Sequence, residues 1–248
     1  RCRDIFKDIM FETFFLNDSE TLTYLHSTIS PKYHRIRVPE TPLYLDALLV
    51  DTPLVGGLSP RLGDHHLRTV TILGFPASTM PAILDQLNQL PICYRWMTRF
   101  IPLDKSDAES TLKGYKRRWF AKRKGLLHLL QEMFTKSESQ LIDTAAMDQA
   151  NDVDQALKEL AEDYVSYGYY TATITLMDED LQQLTSKQRE VERVINGLGF
   201  ATIAESFNAV EAWLSSLPGQ AYANVRRPLI HSLNLSHLIP FSAIWPGP

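Results

Sequence analysis

Between Tyr169 and Met177, apolar Tyr170, Ala172, Ile174 and Leu176 alternate with Thr171, Thr173 and Thr175, and this period of two predicts a half-buried strand with one apolar and one polar face. Asp178 stands where a helix cap is needed. Beyond it Leu181, Leu184, Gln188, Val191 and Ile195 recur at helical spacing until Gly197 and Gly199 stop the helix, and Phe200 to Ala204 reads as a return strand. The plan occurs earlier too: Leu67 to Leu73 as strand, a helix opened by Ser78 or Thr79 and running through Leu90, and Cys93 to Ile101 as strand. Between the two βαβ units lies the longest helical stripe, Ala108, Leu112, Tyr115, Trp119, Leu126, Leu130 and Phe134, with Asp104 or Ser106 as cap. A second stripe, Met147, Ala150, Val153, Leu157, Leu160 and Tyr164, makes an antiparallel helical hairpin the simplest arrangement.

The expected fold class is therefore α/β (α+β): a mixed sheet from two βαβ units in ferredoxin-like order, carrying a long helical-hairpin insertion over 104–165. Residues 1–66 form an N-terminal α/β subregion, with a helix from Glu20 to Thr28 capped by Asn17 or Ser19 and short strands at Phe11 to Leu16 and Tyr33 to Val38. The ferredoxin-like domain spans 67–217 and ends in a short helix holding Val210, Trp213, Leu214 and Leu217. From 218 to 248 the chain is apolar but aperiodic, and Pro228, Pro240, Pro246 and Pro248 argue against regular elements. This stretch reads as a linker or docking strap.

Composition narrows the classes. A net charge of −4 gives no overall pull toward nucleic acid or anionic membrane. The two cysteines, Cys2 and Cys93, lie far apart without metal-ligand spacing, so a disulfide framework is not expected. No apolar run reaches the roughly 20 residues that span a bilayer. Residue one is an arginine within an amphipathic pattern, so the chain is expected to be part of a longer protein.

Candidate chemistry is sparse. No Gly-x-x-x-x-Gly-Lys-Ser/Thr loop exists, and Gly197 and Gly199 follow a helix rather than a strand, the reverse of a dinucleotide fingerprint. His65 and His66 enter a strand as neighbours and so point to opposite faces. His26, His34, His128, His231 and His237 show no recognised ligand spacing, and no metal site is expected. Asp178, Glu179 and Asp180 begin a helix, where acids are favoured without any catalytic role. One charge feature stands out: Lys113, Lys116, Arg117, Arg118, Lys122, Arg123 and Lys124, interleaved with Tyr115, Trp119 and Phe120. It could contact a partner protein, lipid or nucleic-acid phosphates, or be neutralised by Glu159, Glu162 and Asp163 of the second hairpin helix. Arg226, Arg227 and Trp245 are candidates for an inter-domain contact.

Three runs carry a resemblance to a known family. Leu67-Arg68-Thr69-Val70-Thr71-Ile72-Leu73-Gly74-Phe75-Pro76, Arg117-Arg118-Trp119-Phe120-Ala121-Lys122-Arg123-Lys124 and Ala209-Val210-Glu211-Ala212-Trp213-Leu214-Ser215-Ser216-Leu217-Pro218-Gly219 closely resemble TrbE-type conjugal transfer ATPases of the CagE/TrbE/VirB family. Tyr222 to Pro228 and Leu233-Asn234-Leu235 extend the likeness, which runs from about Thr21 to the end. The resemblance implies an N-terminal assembly and docking domain of a type IV secretion ATPase, cytoplasmic and peripheral at the inner membrane. Its partners would be other secretion subunits and its own motor domain, with homo-oligomers at full length. ATP and Mg would belong to the missing motor domain, so no enzyme activity and no cofactor is expected in this chain. The alternative is a nucleic-acid-binding module using the basic helix. RNA-binding sheets of this shape carry aromatic stacking pairs, whereas Tyr169, Thr171, Thr173 and Thr175 give a threonine face.

Overall fold

The computed structural model describes residues 14–76, 78–115, 152–220, 222 and 224–239. At its centre is β5 (Tyr167–Asp178), flanked by β3 (His65–Gly74) and β4 (Arg95–Pro102), with β6 (Ala201–Ala204) on the far side of β3. Short β1 (Leu54–Val55) and β2 (Arg61–Leu62) continue from the start of β3, and β7 (Leu229–His231) pairs the start of β5. Helices and an open sheet bear out the expected α+β class, and the ladders are antiparallel, for example Val70 opposite Ile174 and Trp96 opposite the same residue.

The period-two pattern correctly places one face. Val70, Ile72, Tyr170, Ala172, Ile174 and Leu176 all point under α5 (Leu181–Gly197), whose Leu184, Val191 and Ile195 complete the main core. Each of the valine, leucine and isoleucine side chains contributes about 1.5–3 kcal/mol by burial. The helix cap is Asp180 rather than Asp178: Asp180 accepts from the Gln182 and Gln183 amides, while Asp178 pairs with Lys187 Nζ. At its other end Gly199 takes φ +87°, the left-handed conformation that stops the helix as expected.

Several expected elements differ. Residues after Ser78 do not form a helix through Leu90. Pro81 disfavours helical backbone at Met80, Ala82 has φ 60°, and only a 3-10 turn, Asp85–Gln89, remains to put Leu84 and Leu87 into the core. Tyr33 to Val38 alternates but joins no ladder, and the backbone groups of its central Ile36 are taken by α1 (Asp18–Ile29): Thr23 Oγ1 accepts from the Ile36 amide, and Ser19 Oγ donates to the Ile36 carbonyl. Residues 14–16 are not strand either. The α1 start is as expected, with Asn17 and Glu20 forming a capping box. Leu45–Leu49 forms α2.

Helical residues 105–115 (α3) and 152–161 (α4) pack through Ala108, Leu112 and Leu160 against Val165 and Tyr167. Lys105 at the start of α3 pairs with Asp163 just past α4 at 2.7 Å, so the two run antiparallel. The remainder of the hairpin, including Trp119, Leu126, Leu130, Phe134 and Met147, lies outside the described residues.

Two further corrections concern the second face of the sheet and the tail. The threonines are not solvated. Thr69, Thr71, Thr171, Thr173 and Thr175 are all buried, because residues 205–220, with α6 (Ala209–Leu214), and 224–227 fold across them, Trp213 packing with Leu62 and Leu67. Nor does regular structure end at Pro218. Ile230 of β7 and Leu235 and Leu238 of α7 (Ser232–Leu238) enter the main core, and the Tyr170 amide donates to the Pro228 carbonyl at 2.8 Å.

Burial pushes the Tyr167 hydroxyl up to about 12, with the Glu159 carboxylate adding in the same direction. A raised tyrosine stabilises the fold fully below its unfolded value of about 10 and ceases to do so as pH climbs through the folded value. Denaturant midpoints should therefore hold from neutrality to about pH 10 and then fall, with a shallower fall in Tyr167→Phe. An identical alkaline profile in wild type and variant would remove Tyr167 from the account.

Candidate functional site

Residues 205–227 are bound to the sheet by a chain of polar contacts rather than by apolar packing alone. Glu205, at the end of β6, is almost fully buried and receives both Arg226 Nε at 2.9 Å and Nη2 at 3.0 Å. This bidentate geometry is the strong form of a charge-assisted pair. Asn224, wholly buried, accepts from Asn208 Nδ2 and the Arg226 amide through Oδ1, and donates to Thr173 Oγ1 at 3.3 Å. Thr171 Oγ1 donates to the Arg226 carbonyl at 2.7 Å and accepts from Arg99 Nη2 at 3.0 Å. On the threonine face, Thr171 and Thr173 are thus the hydroxyls that fix this segment.

Beside the cover runs an open groove. It holds about 650 Å³ between Tyr24, Ser27 and Thr28 of α1, the stretch Arg95 to Arg99 of β4, and residues 215–220. Arg95 and Arg99 are separated by an even number of positions on β4 and so share a face. Arg95 donates to Ser216 Oγ at 3.1 Å and to the Ser27 carbonyl at 3.3 Å, both neutral acceptors. Burial pulls both guanidinium groups below their ordinary value, and for Arg99 the nearby Arg227 charge acts in the same sense. The lining is cationic and hydroxylic. Such a lining suits recognition of an acidic group.

Of the residues singled out in the sequence, Lys113 is paired with Glu109 one helical turn away at 2.8 Å. Lys116, Arg117, Arg118, Lys122, Arg123 and Lys124 lie outside the described residues, as does Trp245. Asp163, a candidate to neutralise that cluster, meets Lys105 instead. Arg226 has a carboxylate partner within the domain, Glu205. Arg227 is exposed. His65 lies 3.7 Å from Glu179, His231 caps α7 by accepting from the Asn234 amide, and His237 meets Thr79. Cys93 is exposed and free. His26 and His34, whose spacing gives no metal role, come together with Asp51. Arg95, Arg99, Glu205 and Asn224 carry no signal in the sequence; their partners are too distant along the chain for spacing to mark them. Among the described residues, no helix is long and apolar enough to cross a membrane.

A family model described as the CagE, TrbE, VirB family, component of type IV transporter system, matches residues 120–226. The chain is 36% identical over 228 residues to the second part of a probable conjugal transfer protein TrbE of Sinorhizobium fredii (strain NBRC 101917 / NGR234), covering 92% of this chain and 34% of that protein. It is 37% identical over 228 residues to a conjugal transfer protein TrbE of Rhizobium radiobacter, covering 92% of this chain and 27% of that protein. The chain spans about a third of the first relative's length and about a quarter of the second's.

Proposed function

The chain is a homologue of the TrbE conjugal transfer proteins, within the CagE, TrbE, VirB family of type IV transporter components, and from that premise we propose that it is an assembly and docking domain which carries no reaction itself. ATP hydrolysis with Mg, pilus assembly and translocation of DNA or protein belong to the whole protein, through a motor region that the relatives' additional length can hold. The domain lies N-terminal to that motor, peripheral to the inner membrane, and docks on neighbouring secretion subunits within an oligomer.

The observation that carries this reading is the treatment of the sheet. Its second face is covered by the chain's own residues 205–220 and 224–227, and beside the cover runs an open groove lined by Arg95, Arg99 and hydroxyls. Such a groove fits an acidic segment of a partner subunit. The sealed face also removes the stacking platform that a sheet-based nucleic-acid module uses.

Acidic substitutions at the exposed rim of the groove, Tyr24→Asp with Gln220→Asp, test the reading in the full-length protein. Conjugative transfer should drop by about tenfold or more, as for loss of an interface anchor, while ATP turnover of the purified protein is unchanged. Unchanged transfer, or a parallel loss of turnover, would sink the docking role.

A further inference from the structure

His26 lies on α1 and is buried to 1% exposure, yet its Nε2 makes no aligned hydrogen bond. That nitrogen stands 3.2 Å from Asp51 Oδ2. The His34 ring meets the His26 ring edge-on at 4.3 Å between centroids, and the ligand atoms of His26, His34 and Asp51 all lie within 4.8 Å of one another. We propose that His26, His34 and Asp51 form a binding site for a zinc-class divalent cation, with at least one coordination position left to solvent or to a partner's side chain.

Several features favour this over a plain ion pair. Two ligands bonded at about 2.0–2.1 Å in a tetrahedral shell stand roughly 3.3 Å apart, close to the Nε2 to Oδ2 separation. Asp51 is also held in a fixed orientation: Thr52 Oγ1 donates to its Oδ1 at 2.7 Å, leaving Oδ2 toward His26, and Ser30 Oγ lies 3.3 Å from Thr52 Oγ1. Metal-binding carboxylates are oriented by such outer hydrogen bonds. His34 is exposed, so its ring can rotate to close the remaining distance. Lys32 is the competing cation, 3.7 Å from Asp51 Oδ2, but it is more than half exposed and such a contact is worth little.

The three residues come from α1, the extended strip after it and the turn before β1. A bound ion would clip together a region whose own buried apolar residues are few, among them Ile36, Leu49 and Leu62. One histidine-histidine-carboxylate set with an open position is also a donor combination that suits zinc or iron(II) over magnesium or calcium.

The test titrates the tag-free 248-residue chain with cobalt(II) as probe, in a Cys2→Ser, Cys93→Ser background that removes both thiols. One cobalt per chain should bind saturably with visible ligand-field bands, and equimolar zinc should displace it. His34→Ala, a surface change that leaves the fold intact, should weaken binding at least about tenfold, as should Asp51→Asn. His65→Ala should not. Absence of saturable binding, or cobalt affinity unchanged in His34→Ala, overturns the site and leaves His26 and Asp51 as an ordinary ion pair.

Discussion

Arg226→Met should destabilise the domain by about 3 kcal/mol, because it strands the Glu205 carboxylate in a site with almost no water. The figure is the low end for breaking a buried pair, since the Arg226 side chain is 30% exposed and water can partly replace it, whereas Glu205 is 1% exposed and cannot be solvated without opening the cover. The Arg226 backbone stays tied to Thr171 Oγ1 and Asn224 Oδ1 in the variant, so the loss falls on the carboxylate. The double variant Glu205→Gln with Arg226→Met should recover most of the deficit, as the charge left unpaired in the single variant is then gone. Urea midpoints at constant slope measure both. A single-variant loss below about 1 kcal/mol would assign the pair to the weak class of surface bridges.

That pair marks the limit of what one sequence discloses. Read along the chain, Arg226 awaits a carboxylate on a neighbouring body, and in the fold it has one of its own. Local chemistry is legible. The alternation in β5, the helical stripe of α5 and the glycine stop at Gly199 follow from nearest-neighbour rules and stand in the structure as expected. Where a tertiary partner decides, the pattern misleads. Tyr33 to Val38 alternates like a strand, but α1 hydroxyls take the backbone groups of its central Ile36. The β5 threonines look solvent-facing by residue type, yet the Thr171 and Thr173 hydroxyls are what Arg226 and Asn224 bind to. Asp178 is the first acid before the helix, but its tie to Lys187 leaves the cap to Asp180. The groove of Arg95 and Arg99 and the trio of His26, His34 and Asp51 depend on residues brought together only by folding. No spacing rule finds them.

The tail gives the sharpest test. Residues 218–248 read from sequence as a strap for a body beyond the chain, because three strand residues and seven helical ones are too few to establish a period. In the structure several of these apolar residues are consumed locally: Ile230 pairs in register with Gly168 of β5, and Leu238 is 1% exposed against the main core. Gly168 accommodates the crowding there, since a Cβ would come within 2.6 Å of the Ile101 carbonyl oxygen and closer still to the Phe100 ring. Leu238→Ala should therefore cost about 2–5 kcal/mol, the range for deleting a buried leucine from a packed core. A chain ended after Pro228 should lose cooperative unfolding altogether, as it forfeits Ile230, Leu235 and Leu238 together with the β7 ladder. By contrast, Leu233→Ala, at an exposed position of the same helix, should change stability by less than about 0.5 kcal/mol. The decisive readings are thermal and urea unfolding of the three variants beside wild type. Were Leu238→Ala and the shortened chain as stable as the parent, the tail would be a tether and the core would have to be complete without it.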